Sequence, residues 1–290
     1  MATGKTLIEI DFRKSLGEEI RSACGELGAY QRKPEAGRVH SYRKSSKRIR
    51  AYLRLMRSQV GEKRFQFENQ RIRDASRKLS ELRDAEVLLE TFSEVFGRKV
   101  PRAFQSFQIQ LRESARQTLE VGPLIRELDE LEERIAGWKK LSLDWSEVGE
   151  DLVVIYRRAR KGMDRALVEG SAAAFHEWRK RTKVLRYDLR PLELLWPTYF
   201  RWFEKRLHEV EDRLGLDHDL AVLEKCLAGR LSKATHSRIE ARRIELREQA
   251  LALGEKLFWE TPSEVRRRLQ DLWKHGPSET GGEPGQTQAA

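Results

Sequence analysis

The stretch RVHSYRKSSKRIRAYLRLMR, residues 38–57, decides how this chain folds. It holds eight Lys or Arg, one His and no acid. Placed on a helix at about 100° per residue, its side chains sort into two adjoining arcs. His40, Arg43, Lys47, Arg50 and Arg54 lie at +0, +3, +7, +10 and +14, inside an arc of roughly 80°. Tyr42, Ile49, Leu53 and Met56 occupy the neighbouring arc and are expected to pack into a bundle. A solvated helix face mixes Glu with Lys at i,i+4, because unlike charges stabilise and like charges cost a few tenths of a kcal/mol per pair. This stripe carries only bases and a His, so the cost makes sense if an anion later offsets it.

The same stripe occurs a second time. VHSYRKSSKRIR at 39–50 aligns without gaps to FHEWRKRTKVLR at 175–186, matching His40 to His176, Arg43 to Arg179, Lys44 to Lys180, Lys47 to Lys183 and Arg50 to Arg186. From His176, the offsets place Arg179, Lys183, Arg186 and Arg190 on the basic arc, with Trp178, Leu185, Leu189 and Leu192 on the apolar one. A second echo pairs KLSELRDAEVLL at 78–89 with RLGLDHDLAVLE at 213–224, so that Leu79, Asp84 and Val87 match Leu214, Asp219 and Val222. The two echoes keep offsets of 136 and 135 residues. Two halves of one plan, each a bundle of about four to six helices, follow from such a repeat.

Composition agrees with an all-α chain. Of 290 residues, 36% are charged and 39% hydrophobic, while Gly and Pro are sparse, which suits long amphipathic helices and not a β domain. Lys and Arg number 57 against 46 Asp and Glu, a net charge of +11, which favours anionic partners: nucleic acid, acidic lipid or polyphosphate. Cys24 and Cys226 form no C-x-x-C pair and read as small buried hydrophobes in a reducing compartment. No signal-peptide pattern is present, and apolar runs such as LVVIY and LELLW are far too short to cross a bilayer. A cytoplasmic protein with no membrane association is expected.

Helical periodicity predicts helices over 13–28, 35–59, 64–81, 84–95, 99–119 and 123–137, then 145–168, 172–194, 199–213, 218–228, 235–256 and 262–273. LIEIDF at 7–12 reads as a short strand or a lead-in. Pro191 predicts a kink after Arg190. One domain over 1–275, with halves at about 8–140 and 141–275, and a disordered Gly-rich tail over 276–290 complete the expected organisation.

These pieces resemble the CHAD domain, a family named for histidines in an α-helical domain. The matching segments are VHSYRKSSKRIRAYLRLMR, LRDAEVLL, FHEWRKRTKVLRYDL and RLGLDHDLAVLEKCL, and the resemblance spans roughly residues 8–273. It implies two pseudo-symmetric helical bundles around a basic central channel that binds inorganic polyphosphate. By position, the binding role falls on His40, Arg43, Lys47, Arg50, His176, Arg179, Lys183 and Arg186. Arg54 and Arg190 extend the stripes, and Arg160 in the family-like segment YRRARK is a further candidate. The first Asp motif departs from the second in carrying Ser80 where Gly215 stands. The E-x-E-x-K signature of the CYTH domain, a frequent companion in this family, is absent from the sequence. Granule association is implied by the resemblance alone.

Polyphosphate is a flexible chain with about one negative charge per residue and no bases to read. Arg grips it by forking two N–H groups onto phosphate oxygens, and Lys supplies a compact point charge. Asp84 and Asp219 each precede an apolar helical run and are read as N-terminal caps or as orienting a nearby Arg. The cluster Asp217, His218 and Asp219 lacks the convergent ligand set a metal needs. Trp138, Trp145, Trp202, Trp259 and Trp273 are expected in the core or between bundles. No P-loop, G-x-S-x-G or H-E-x-x-H is present, so neither a cofactor nor a reaction is expected. The alternatives are a helical nucleic-acid binder, lacking a helix-turn-helix and interleaved aromatics, and a phosphohydrolase or the regulatory subunit of a polyphosphate-metabolising enzyme. Oligomeric state has no reading at this level.

Overall fold

A computed structural model describes residues 12–97, 100–115, 119–138, 145–194 and 196–275. Among them every regular element is helical. In the first half these are α1 (Phe12–Arg32), α2 (Ala36–Leu55), α3 (Arg57–Val60), α4 (Glu62–Lys78), α5 (Ser80–Phe96), α6 (Arg102–Ala115) and α7 (Gly122–Ala136). The second half contains α8 (Trp145–Glu169), α9 (Ala172–Leu189), α10 (Pro197–Cys226), α11 (Lys233–Leu257) and α12 (Pro262–His275). The strand-or-lead-in reading of 7–12 falls outside the described residues except for Phe12, which opens α1; the tail reading of 276–290 lies wholly outside them.

Local chemistry sets the helix ends. Ser171 and Ser232 each cap a helix, accepting from the backbone N–H of Ala174 at 3.1 Å and of Thr235 at 3.2 Å. Thr261 and Glu264 form a reciprocal capping box at the start of α12: the Glu264 N–H donates to the Thr261 hydroxyl at 3.3 Å, and the Thr261 N–H to the Glu264 carboxylate at 2.7 Å. α8 stops at Gly170, whose φ of 61° lies where a side chain would clash. The second stripe does more than kink at Pro191. α9 ends at Leu189, and residues 190–194 form a separate 3-10 turn.

Two expected helices, 199–213 and 218–228, are one. α10 runs unbroken through Gly215, which keeps a helical backbone although Gly in a helix interior costs roughly 0.5–1 kcal/mol against Ala. Spatial need explains it: a Cβ there would stand 3.2 Å from a guanidinium nitrogen of Arg179. In the first half the corresponding region is divided between α4 and α5, which meet at Leu79.

Several helix pairings of the first half have a counterpart in the second. α1 packs on α2 and α7 as α8 packs on α9 and α12; α4 lies on α2 as α10 lies on α9; α6 covers α5 as α11 covers α10. The halves meet where α2 touches α9 and α5 touches α10. They do not carry separate cores. One continuous apolar cluster runs from Phe12 and Leu16 through Tyr42, Leu53 and Leu128 to Trp178, Leu207 and Trp273. Every residue assigned to the apolar arcs of α2 and α9, from Tyr42 to Leu192, is buried. Each such side chain contributes about 1.5–3 kcal/mol by leaving water. That burial fixes the rotation of both helices and so aims their basic arcs. A smaller aromatic cluster of Phe92, Phe96, Phe104 and Phe107 joins α5 to α6.

Three expectations about single residues need correction. Trp202 is half exposed and Trp259 is 73% exposed, so neither belongs to the core, whereas Trp138 and Trp273 do; the Trp145 side chain lies outside the described set. Cys226 is exposed, and only Cys24 is partly buried. Burial and the carboxylate of Asp129 push the Cys24 thiol up to about 12.

Candidate functional site

α2 and α9 touch, and beside that contact opens a cleft of about 510 Å³. From α2 it is lined by His40, Arg43, Lys44 and Lys47, and from α9 by Arg179, Lys183, Arg186 and Tyr187. α5 adds Asp84, Val87 and Leu88. α10 adds His208, Glu211, Asp212, His218, Asp219 and Val222. The two basic arcs therefore contribute to one opening.

Six of the eleven expected site residues line it: His40, Arg43, Lys47, Arg179, Lys183 and Arg186. His176 is not on the lining but touches it through His218, the two rings tilted at 31° with centroids 4.0 Å apart. Its Nδ1 is buried without a hydrogen-bond partner. Burial, then the charges of Lys180 and Arg179, lowers the His176 pKa; burial and His176 bring His218 down to about 4. Both shifts favour the uncharged imidazole.

Four expected residues lie away from the opening. Arg50 donates from Nε to Asn69 at 2.8 Å. Arg54 reaches across to α9 and pairs with the fully buried Asp188, its Nε 2.9 Å from one carboxylate oxygen. Arg190 lies near Tyr52, and Arg160 near Tyr156 and Glu264 on the α8–α12 side. For Arg54 and Arg190 the reason is axial distance: at 1.5 Å rise per residue, offset +14 stands about 21 Å beyond the His at the head of each stripe.

The second stripe is held in place by carboxylates. Lys183 Nζ lies 2.6 Å from Glu211, and Arg186 donates to Glu211 at 2.7 Å and to Glu204 at 2.6 Å. Burial alone would raise the Glu211 carboxyl, but Lys183 and Arg186 outweigh it and hold it at about 2. Arg186 also covers the Tyr187 ring, 4.4 Å from its centroid. Arg179 rests on the bare face of Gly215, with its Nε buried and unbonded.

Asp84 and Asp219 do not cap. Asp84 sits in the second turn of α5 and Asp219 in the middle of α10, and both line the cleft. The capping reading failed because α4–α5 and α10 begin earlier than the apolar runs suggested. Sequence reasoning also missed Glu211, although the repeat contains the signal: at the offset of 135, Glu204 and Glu211 stand opposite Asn69 and Ser76. Among the described residues, no group of three or more His, Cys, Asp or Glu could hold a metal. No helix of the described residues is long and apolar enough to cross a membrane.

Comparison with known proteins agrees with this architecture. A family model described as the CHAD domain matches residues 15–228. Among solved structures, the crystal structure of the CHAD domain from the plant Ricinus communis is similar, with a TM-score of 0.53 and 18% identity over 93% of this chain and 95% of that one. At that identity the likeness speaks for the fold. No curated protein matches the chain by sequence.

Proposed function

The chain belongs to the CHAD domain family, and from that premise we propose that its cleft binds inorganic polyphosphate without altering it. The observation that carries this reading is the convergence of the α2 and α9 arcs on one opening: six Lys and Arg line it against four Asp and Glu. One of those four, Glu211, is already matched to Lys183 and Arg186. Arg43, Lys44 and Arg179 then offer forked and point-like donors to successive phosphate oxygens. Among the described residues the one Phe, Tyr or Trp on the wall, Tyr187, is buried beneath Arg186, so no such ring face lies open for a base to stack on. That favours a baseless polyanion over nucleic acid. Location in the cytoplasm, including at polyphosphate granules, follows as part of the same proposal.

The test is a salt-dependent titration with long-chain polyphosphate, with tRNA and duplex DNA as competitors. Tight binding that weakens steeply with salt and that neither nucleic acid displaces is the expected result. Equal displacement by all three polyanions would reduce the cleft to a generic basic surface. The same samples, with Mg²⁺ or Mn²⁺ added, should release no orthophosphate; steady release would turn the reading toward a phosphohydrolase.

A further inference from the structure

Lys47 sits where three cations meet one carboxylate. On its own helix it faces Arg43; from α9 it faces Lys183, Arg186 and the Tyr187 ring, whose centroid lies 5.5 Å from its Nζ. From α10 the nearest acid is Glu211, but both of its oxygens are taken, one by Lys183 at 2.6 Å and the other by Arg186 at 2.7 Å. His208 and Asp212 of α10, and Asp84 of α5, line the same cleft. Lys47 has no carboxylate partner among the described residues. A half-buried ammonium beside a second ammonium is unfavourable, and two remedies exist: lose the proton, or gain an anion.

We propose that the cleft takes up one proton together with its anion, and that Lys47 is where that proton lands. The inference rests on the reading of the cleft as a phosphate site and adds a pH dependence to it. Without the anion the amine gives up its proton more readily than an ordinary lysine and, once neutral, can accept a hydrogen bond from the Lys183 ammonium. When a phosphate oxygen enters the cleft beside it, the amine becomes an ammonium and a donor, with the proton drawn from solvent. Burial, followed by the charge of Lys183, supports this by bringing the Lys47 ammonium down to about 6 from its ordinary value of 10.5. Bound phosphate reverses the sign of the local field and raises it again. Between those limits, affinity falls as pH rises, by up to about tenfold per pH unit for one linked proton.

The experiment is calorimetric titration of the full chain with long-chain polyphosphate at pH 8, in two buffers that differ in protonation enthalpy. Long chains keep titrating end groups negligible. About one proton taken up per occupied cleft is expected. Lys47→Arg, which stays charged, should take up none in the binding it retains. Uptake that persists in that variant would assign the proton to His40, His176 or His218 and overturn the assignment to Lys47. Binding without uptake in the native chain would overturn the proposal while leaving the phosphate reading intact. Absence of binding would overturn both. A titration of the free protein by NMR, with lysine Cε labelled, decides Lys47 separately: a midpoint near 6 supports the proposal, and one near 10 overturns it.

Discussion

α2 and α9 carry the same basic arc on equivalent helices, yet their surroundings differ. On α9, Lys183 and Arg186 are held by Glu211 and Glu204, both from α10. On α2, the matching Arg50 meets Asn69, a neutral amide at the position equivalent to Glu204. Ser76 stands where the repeat would place a counterpart of Glu211. At these two positions one half has ion pairs where the other has a neutral amide and a hydroxyl, although farther along α2 Arg54 pairs with Asp188. Under the proposed polyphosphate reading, the unequal halves would divide the work of a binding site, α9 giving a wall fixed by ion pairs and α2 giving groups that an incoming anion engages. A duplicated motif can thus be read twice in sequence without meaning the same thing twice in structure.

The comparison breaks most visibly at Glu211. Glu211→Gln would make the α9 wall resemble the α2 wall and leave Lys183 and Arg186 sharing only Glu204. Breaking a buried pair from one side typically costs 3–5 kcal/mol, and the open cleft should hold the loss to about 3 kcal/mol. Urea unfolding checks the stability, and the polyphosphate titration should show tighter binding in the same variant. Lost stability with unchanged affinity would mean that Glu211 does not compete with the anion for its cations.

A second test compares the two stripes directly. Arg43→Ala removes a cleft cation from α2, and charge-assisted bonds of this kind contribute about 1.5–3 kcal/mol, so affinity should fall roughly 10- to 100-fold. Lys183→Ala removes a cation already matched to Glu211, and the loss should stay below about threefold. Equal losses in matched titrations would erase the distinction between a charged helix and a paired one.

Much of this was legible because helical period and repeat reinforce each other. Tyr42, Leu53, Trp178 and Leu189 sit at spacings that only a helix brings to one face, and burial of that face aims His40, Arg43, Arg179 and Lys183 toward one cleft. What the spacing did not contain was length in three dimensions: Arg54 shares the arc of Arg43, but the axial rise carries it to Asp188. Continuity of α10 was hidden because Gly215 looks like a break in sequence, while its purpose is to admit the side chain of another helix. Pairing was hidden for a similar reason. Glu204 and Glu211 lie on α10, distant in sequence from the arginine and lysine they hold, and a chain of this charge contains many acids at unremarkable spacings.

A last test concerns the protein without polyphosphate. Lys47 binds its proton more weakly folded than unfolded, so between about pH 6 and pH 10.5 the unfolded chain holds more protons at this site. Stability from this group therefore rises with pH across that window, and at neutral pH the site contributes a penalty relative to an apolar side chain. Lys47→Met fills similar volume without a charge, and should raise the stability of the protein at pH 6–7 while weakening polyphosphate binding. The gain should shrink as pH rises through about 10.5, above which the amine is neutral in both states. A variant equally stable and equally pH-sensitive would show that Lys47 is already solvated in the empty cleft, and that the difference between the two stripes ends at their carboxylates.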